Sequence, residues 1–402
     1  MCGIAGLINQ KLNPEYLRKS IISMQSAIAH RGRDNSGSWI DENVGLAFGH
    51  QRLSIVDIRN VGNQPMISVS GRYVINYNGE IYNHIDLRKK LERDKKAISW
   101  KSNCDTETLL VAVENWGLIE TLNKCIGMFA FSIYDKKYKK MYLIRDRFGE
   151  KPLYWGFSGY GSNKSLIFGS DISSIQSFPF FNNEISHNAI SMFLKYSYIP
   201  GQVSIYNGIN KLQAGAIIEI DLNKEIELKS LKRYTWWSLK ENISNQKSIY
   251  YNSEEEALFR TEDSIIASLK EQSFSEVPLT CFLSGGIDSS LIATLITNHV
   301  RSDLSTLSIG FEEKDYNESI KARKLSNFLG TKHTEVTLTS NDAYSIIPQL
   351  TSIYSEPFAD PAAIPTYLLC KSASAQNIKV ALTGDGADEL FAGYNRYTLG
   401  PK

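Results

Sequence analysis

The 402-residue chain has no apolar run near the ~18 residues a membrane-spanning helix needs, and its start lacks the charged-then-apolar pattern of a signal peptide. A removable leader would also destroy any role for the residue behind the initiator, so a cytoplasmic protein with no membrane partner is expected. Cysteine is sparse: five residues, an odd number, at scattered spacings with no C-x-x-C pair. This argues against both a disulfide framework and a zinc site. Charge of one sign is missing too. The formal net charge is +1 and no long like-charge run occurs, so nothing points to a nucleic-acid partner. Also absent are the two common phosphate-binding patterns, G-x-x-x-x-G-K-S/T and G-x-G-x-x-G.

What remains is an ordinary globular composition, with 42% hydrophobic and 22% charged residues. The length suits two domains, each large enough to bury its own core. The chain opens Met1-Cys2-Gly3-Ile4-Ala5-Gly6. Removal of the methionine leaves a thiol and a free α-amine on one residue, and near neutral pH the amine (~7.7–8.0) can take the thiol proton (~8.5). That is an activated nucleophile whose base is its own backbone.

From Cys2 to Ile8 the pattern predicts a buried strand, and Asn13-Pro14 opens a helix to about Ala29. Short apolar runs broken by Gly, Asn and Pro from Trp39 to Asn78 predict one antiparallel meander. Helical spacing returns around Ile85–Leu91 and Leu109–Val113, and 129–134 with 141–145 forms a hairpin. Strands in blocks with a few helices indicate an α+β layered domain.

Three features of this half have chemistry to offer. Arg52, in Gly49-His50-Gln51-Arg52-Leu53, could pair with a substrate carboxylate. Asn78-Gly79, followed by Glu80, joins an amide side chain to an approachable backbone N–H, which together can form an oxyanion hole. Asp105, in Cys104-Asp105-Thr106-Glu107, sets a carboxylate just ahead of a helix, where it could meet a substrate ammonium. Singly, each has a plain structural explanation: a surface ion pair, a hairpin turn and a helix N-cap. The charged stretch Arg145 to Tyr154 is given a structural role.

In the second half the period changes. Strands near 277–283, 304–309 and 378–382 alternate with helices to about His299, over 319–329 and over 362–375, with Gly-rich loops at strand C-termini. This describes a doubly wound parallel sheet with its ligand site at that edge. A helix opens at Ser253 with Glu256 as a capping box. The loop Ser284-Gly285-Gly286-Ile287-Asp288-Ser289-Ser290 has the physics of a phosphate cradle: small residues, hydroxyls and a helix N-terminus. Asp288, and Asp385 from the loop Thr383-Gly384-Asp385-Gly386-Ala387-Asp388-Glu389, supply oxygen ligands for Mg²⁺.

On these residues, Cys2 to about Ser170 resembles the class II glutamine amidotransferases, and 284–290 resembles the pyrophosphate loop of the N-type ATP pyrophosphatases. Together they resemble the glutamine-hydrolysing asparagine synthetase family. The resemblance implies an N-terminal-nucleophile α+β layered sandwich followed by an α/β doubly wound parallel-sheet nucleotide domain. It implies that Cys2 attacks glutamine, that Asn78 and Gly79 stabilise the oxyanion, and that Arg52, Glu80 and Asp105 bind glutamine. ATP and its pyrophosphate, with Mg²⁺ on Asp288 and Asp385, would meet Leu283, Ser284, Gly285, Gly286, Ser289, Ser290, Ile309 and Gly384. Glu356 would stand near an acyl-adenylate, to which ammonia passes through an internal tunnel.

The expected acceptor is aspartate, with another carboxylate such as a sugar acid, or a glutaminase or regulatory remnant without synthesis, as alternatives. A homodimer is compatible with the family. The expected boundaries are a glutaminase domain over 1–200, a connecting segment over 201–252 and a synthetase domain over 253–402. Family members continue past Lys402 through a helical portion carrying a lysine at the transferring groups, so the synthetase domain is expected to be incomplete. Arg33 stands where the family has proline, in His30-Arg31-Gly32-Arg33-Asp34.

Overall fold

The computed structural model describes residues 2–94, 98–245, 251–312, 317–394 and 397, so Met1 and Lys402 lie outside the described residues. The chain divides into two compact units, Met1–Ser248 with Thr351–Ala359, and Ile249–Leu350 with Asp360–Lys402.

The strands of the first unit are β1 (Gly3–Ile8), β2 (Asn35–Asp41), β3 (Leu46–Arg52), β4 (Met66–Ile67), β5 (Tyr73–Ile81), β6 (Gly127–Asp135), β7 (Lys140–Arg145), β8 (Tyr154–Ser158), β9 (Ser165–Gly169), β10 (Ile209–Lys211), β11 (Ala216–Asp221) and β12 (Lys232–Thr235). Its helices are α1 (Pro14–Ser26), α2 (His84–Asp94), α3 (Asp105–Trp116), α4 (Leu118–Lys124), α5 (Ile172–Gln176), α6 (His187–Tyr196) and α7 (Leu239–Asn245). Two six-stranded sheets form, ordered β10-β8-β9-β1-β3-β2 and β12-β11-β7-β6-β5-β4.

Alternation along each strand builds the layers. Ile4 and Ile8 of β1, Phe48 of β3, Val74 of β5 and Leu143 of β7 share the core between the sheets. Ala5 and Leu7 of β1 face α1 and α5 on one outer side, and Tyr73, Ile75 and Tyr77 of β5 face α2 and α3 on the other. The result is the expected α+β layered sandwich, with helices outside both sheets. Asn76, buried on the inner face of β5, donates to Ala5 O (3.1 Å) and Gly49 O (3.0 Å), tying the two sheets together. The start of α1 follows its sequence signal, since Asn13 Oδ1 accepts from Glu15 N–H at 2.8 Å and Pro14 needs no partner.

Several expectations change. Residues 39–78 are not one meander: β2 and β3 belong to one sheet, β4 and β5 to the other. Both sheets bury their inner faces, so alternation could not reveal that 53–65 cross between layers. Residues 201–252 contribute β10, β11 and β12 to the two sheets, so the chain after Gly201 continues the first unit. Ser253 caps its helix, but only half the box is present, because Glu256 turns its carboxylate to Asn252 instead.

Asp146 explains why 145–154 carries so many charges. Its buried carboxylate accepts from the N–H groups of Phe129, Phe148, Glu150 and Lys151 at 3.0–3.1 Å. The Arg145 guanidinium meanwhile donates to three carbonyls, those of Lys151, Leu212 and Gly149. Asp146→Ala strands four donors in a dry loop, and a cost of about 2–4 kcal/mol is expected. A lowered urea midpoint of the first unit's unfolding measures it. An unchanged midpoint would show that Arg145 alone holds the loop.

From residue 249 the chain runs α8 (Glu254–Gln272), β13 (Leu279–Phe282), α9 (Ile287–His299), β14 (Ser305–Phe311), α10 (Ser319–Leu329), β15 (Lys332–Leu338), α11 (Ser340–Ile346), α12 (Leu350–Ile353), α13 (Ala363–Ala375), β16 (Val380–Leu382) and α14 (Ala387–Phe391). The sheet order is β15-β14-β13-β16, with every pair parallel. The sequence builds outward from β13 through β14 to β15, then returns to β13's other side. This is doubly wound topology with its switch point between β13 and β16. The polar strand β15 was not foreseen, because Lys332, His333, Thr334 and Glu335 hide its period.

Candidate active sites in the two units

In the first unit a narrow cavity is lined by Cys2, Arg52, Gln64, Tyr77, Asn78, Gly79, Glu80, Asp105 and Lys151, among others. All six residues singled out in the first half of the sequence therefore meet in one place. Cys2 precedes β1, Arg52 ends β3, residues 78–80 close β5, and Asp105 begins α3. The helix cap is Cys104, so Asp105 occupies the first helical position rather than the cap itself.

Cys2 Sγ lies 3.4 Å from Leu53 N and 3.6 Å from Leu53 O, and the Arg31 guanidinium donates to Cys2 O at 3.2 Å. Burial raises the thiol above its ordinary value, while the Leu53 N–H and the Arg52 charge act against that rise. Asn78 is 1% exposed, and among the described residues neither its Oδ1 nor its Nδ2 has a partner. A buried amide with both ends unmatched costs stability unless a ligand satisfies it.

The Gly79 N–H has a defined direction. In an antiparallel ladder the N–H groups of alternate residues point to the same side. Those of Tyr77 and Ile81 are taken by Gln64 Oε1 (2.8 Å) and Asp105 Oδ2 (2.9 Å), on the side away from β6. The Gly79 N–H leaves between them, on the cavity side. A Cβ at Gly79 would sit 2.3 Å from Met128 O, so the strand pairing itself excludes larger residues.

Arg52 is not in a surface ion pair. Its guanidinium is 5% exposed and donates to Arg59 O, Asn63 Oδ1 and Asp57 O, all neutral acceptors. Among the described residues no carboxylate pairs with it, so a buried positive charge faces the cavity. Asp57, which holds the 57–63 loop under Arg52, has its carboxyl lowered to about 2 by Arg59 and the Asn103 N–H. Asp105 Oδ2 also accepts from Tyr77 OH at 2.7 Å. The Glu80 carboxylate has no hydrogen bond from any described residue, and burial together with Asp105 pushes it up to about 8.

In the second unit, a cavity of about 410 Å³ opens at the C-terminal ends of β13, β14 and β16. That size lies within the ~300–1,000 Å³ usual for small-molecule sites. Leu283, Ser284, Asp288, Ser289, Ile309, Gly384 and Asp385 line it, together with Thr383, Asp388 and Glu389. Gly285 turns the loop at φ +82°, and the Ser284 and Ser289 hydroxyls bond each other at 2.9 Å. The α9 cap, Gly286, offers no side chain, leaving first-turn N–H groups available to an anion. A Cβ on Gly384 would lie 3.0 Å from Asp288 Cβ, so this glycine lets the two loops approach.

Comparison with known proteins now settles the family. Residues 1–236 match the glutamine amidotransferase domain and residues 260–401 the asparagine synthase family. The chain is 34% identical over 404 residues to asparagine synthetase (glutamine-hydrolyzing) 1 of Bacillus subtilis, covering 99% of this chain and 59% of that one. It is 32% identical over 419 residues to a provisionally named asparagine synthetase (glutamine-hydrolyzing) 2 of Methanocaldococcus jannaschii, covering 100% and 77%. The chain belongs to the glutamine-hydrolysing asparagine synthetase family.

Against the B. subtilis relative it spans little more than half the length. Among solved structures, the glutamine phosphoribosylpyrophosphate amidotransferase of B. subtilis matches at TM-score 0.42 and 12% identity over 85% of this chain and 91% of that one, too slight a likeness to bear on function.

For an asparagine synthetase relative, some residues sit differently from expectation. Gly285, Gly286 and Ser290 shape the loop and the first turn of α9 but do not line the cavity. Glu356 belongs to the first unit, where its carboxylate accepts from Tyr154 OH (3.0 Å), the Ile205 N–H (2.8 Å) and Lys211 Nζ (2.7 Å). Lys151 and Gln64 were missed as lining residues. Lys151 lay in the charge-rich stretch given a structural role, and Gln64 carried no sequence signal.

The carboxylates of the second cavity suit Mg²⁺. Among the described residues no three His, Cys, Asp or Glu side chains cluster tightly enough to hold a metal alone. One or two carboxylates completed by phosphate oxygens is the usual arrangement for this ion. No helix among the described residues is long and apolar enough to cross a membrane.

Proposed function

We propose that this chain is a glutamine-dependent asparagine synthetase, with glutamine hydrolysis in the first unit and ATP-dependent carboxylate activation in the second. The observation that carries the reading is the Asn78 amide, buried and without a partner among the described residues, in one cavity with Cys2 and the Arg52 guanidinium.

Glutamine is a zwitterion, and the cavity offers both charges. Arg52 takes the α-carboxylate, while Glu80 and Asp105 take the α-ammonium. The freed Cys2 amine accepts the thiol proton, and sulfur attacks the side-chain amide. The Asn78 Nδ2 and Gly79 N–H groups stabilise the developing oxyanion, and ammonia leaves with a proton from the same amine. Water then releases glutamate.

In the second unit the 284–290 loop and the α9 N-terminus hold the ATP phosphates. Asp288 and Asp385 would hold Mg²⁺, which would offset phosphate charge when bound. The aspartate β-carboxylate displaces pyrophosphate to give β-aspartyl-AMP, and ammonia displaces AMP to give asparagine. Keeping water from the adenylate protects it from hydrolysis. The reading is of a cytoplasmic enzyme.

Asn78→Ala removes one oxyanion donor, so glutamate formation should fall by about 10²–10³ in kcat. Steady-state glutaminase assay measures it. Loss confined to KM would remove Asn78 from the oxyanion hole.

A further inference from the structure

The edge of β5 that faces away from β6 changes partners part-way along. Its first residues pair with β4, Ile75 opposite Met66 and Val74 opposite Ile67, and Tyr73 O accepts from the Ser68 N–H at 2.9 Å. The ladder then stops, and side chains stand where strand backbone would. Gln64 Oε1 accepts from the Tyr77 N–H at 2.8 Å, His50 Nε2 meets Tyr77 O at 3.1 Å, and Asp105 Oδ2 accepts from the Ile81 N–H at 2.9 Å. Gly79 lies between Tyr77 and Ile81 on this edge, which is why its N–H is left to the cavity.

We propose that Gln64 and His50 are positioning residues: together they clamp Tyr77 and so aim the Asn78 amide and the Gly79 N–H at the carbon that Cys2 attacks. The proposal rests on the glutaminase reading of this cavity and deepens it.

Each jaw of the clamp is itself held. A backbone N–H can only donate, so the oxygen end of the Gln64 amide is the end at Tyr77. The other end, Nε2, donates at 3.4 Å to the hydroxyl of Thr106, in the first turn of α3. Gln64 lines the cavity, yet both ends of its amide are engaged within the protein, as suits a support rather than a substrate ligand. His50 is fully buried, and burial pushes its imidazole down to about 4, so the ring is neutral near pH 7. A carbonyl can only accept, so Nε2 carries the ring proton and donates it to Tyr77 O.

The His50 bond crosses between the sheets. His50 belongs to β3, which pairs with β1 directly after Cys2: Gly3 stands opposite Gln51 and Ile4 opposite His50. Tyr77 belongs to β5 of the other sheet. The nucleophile and the oxyanion donors therefore ride on different sheets, and this bond fixes one against the other next to Asn78. On the far side of Tyr77, Asn76 adds its bonds to Ala5 O and Gly49 O. Such registration matters because a misplacement of ~1 Å can cost about 10²-fold in rate.

The test is steady-state glutamine hydrolysis by the full chain. Gln64→Met keeps the length of the side chain and removes the acceptor. Arg52, Glu80 and Asp105 still meet the substrate's charges, so kcat should fall about 10–100-fold with KM within about threefold of the parent. Gln64→Glu keeps an oxygen for the Tyr77 N–H and should restore most of that kcat. His50→Leu removes the donor at Tyr77 O and should show the same split, which carries the test where Gln64→Met does not fold. In an Asn78→Ala chain, Gln64→Met should cost less than in the parent, since one of the donors it aims is already gone.

A folded Gln64→Met or His50→Leu chain with the parent kcat, or with its loss confined to KM, overturns the proposal and leaves the glutaminase reading intact. So do a Gln64→Glu chain as slow as Gln64→Met, and costs of Gln64→Met and Asn78→Ala that multiply in full. No glutamine hydrolysis by the parent chain overturns both.

Discussion

Cys2→Ala is expected to lower glutamine hydrolysis by at least ~10⁴-fold while leaving ammonia-dependent synthesis in place. The cavity's other thiol, Cys104, is bonded to Ser102 and raised by burial, whereas the Cys2 thiol can pass its proton to the α-amine of its own residue and form the acyl intermediate. Its neighbours Arg52, Asn78, Glu80 and Asp105 bind and stabilise but do not attack. Alanine is smaller than cysteine, and Cys2 is half-buried with its sulfur hydrogen-bonded, among the described residues, to the Leu53 backbone, so the fold should survive. Glutamate formation with a glutamine donor, set against product formation with ammonium, separates the two activities. Equal loss of both would contradict a scheme with two sites.

Asp288→Ala should lower ATP-dependent pyrophosphate release by about 10³-fold and spare glutamine hydrolysis. A metal offsetting phosphate charge contributes several kcal/mol to such a step, and each 1.36 kcal/mol is tenfold in rate. An acid in a helix's first turn also has a structural use, since it complements the positive end of the dipole. That contribution, typically ~0.3–1 kcal/mol, cannot account for a thousandfold loss. Pyrophosphate release within tenfold of the parent would therefore return Asp288 to a capping role.

The elements that announced themselves carry strong local chemistry. Asn13-Pro14 reads as a helix start because a side-chain oxygen and a fixed φ do their work within two residues. The helix 319–329 is legible because its apolar spacing is helical and Gly330, in the left-handed region at φ +69°, stops it. The crossing between sheets at 53–65 is not local. It depends on Arg52 reaching Arg59, Asn63 and Asp57, which no periodicity encodes.

The same division runs through the site. Cys2, Asn78-Gly79 and 284–290 have residue types whose bland roles fit poorly in combination. Lys151 enters the cavity only because Asp146, five residues earlier, gathers four N–H groups and bends the loop. A charged hairpin and a charged active-site wall look alike until that loop is folded.

The most direct measurement is pyrophosphate release by this chain with ATP and ammonium, with and without aspartate. The account predicts release that aspartate stimulates, with asparagine formed in step. Glutamine hydrolysis at Cys2 with no pyrophosphate released under either condition would contradict it.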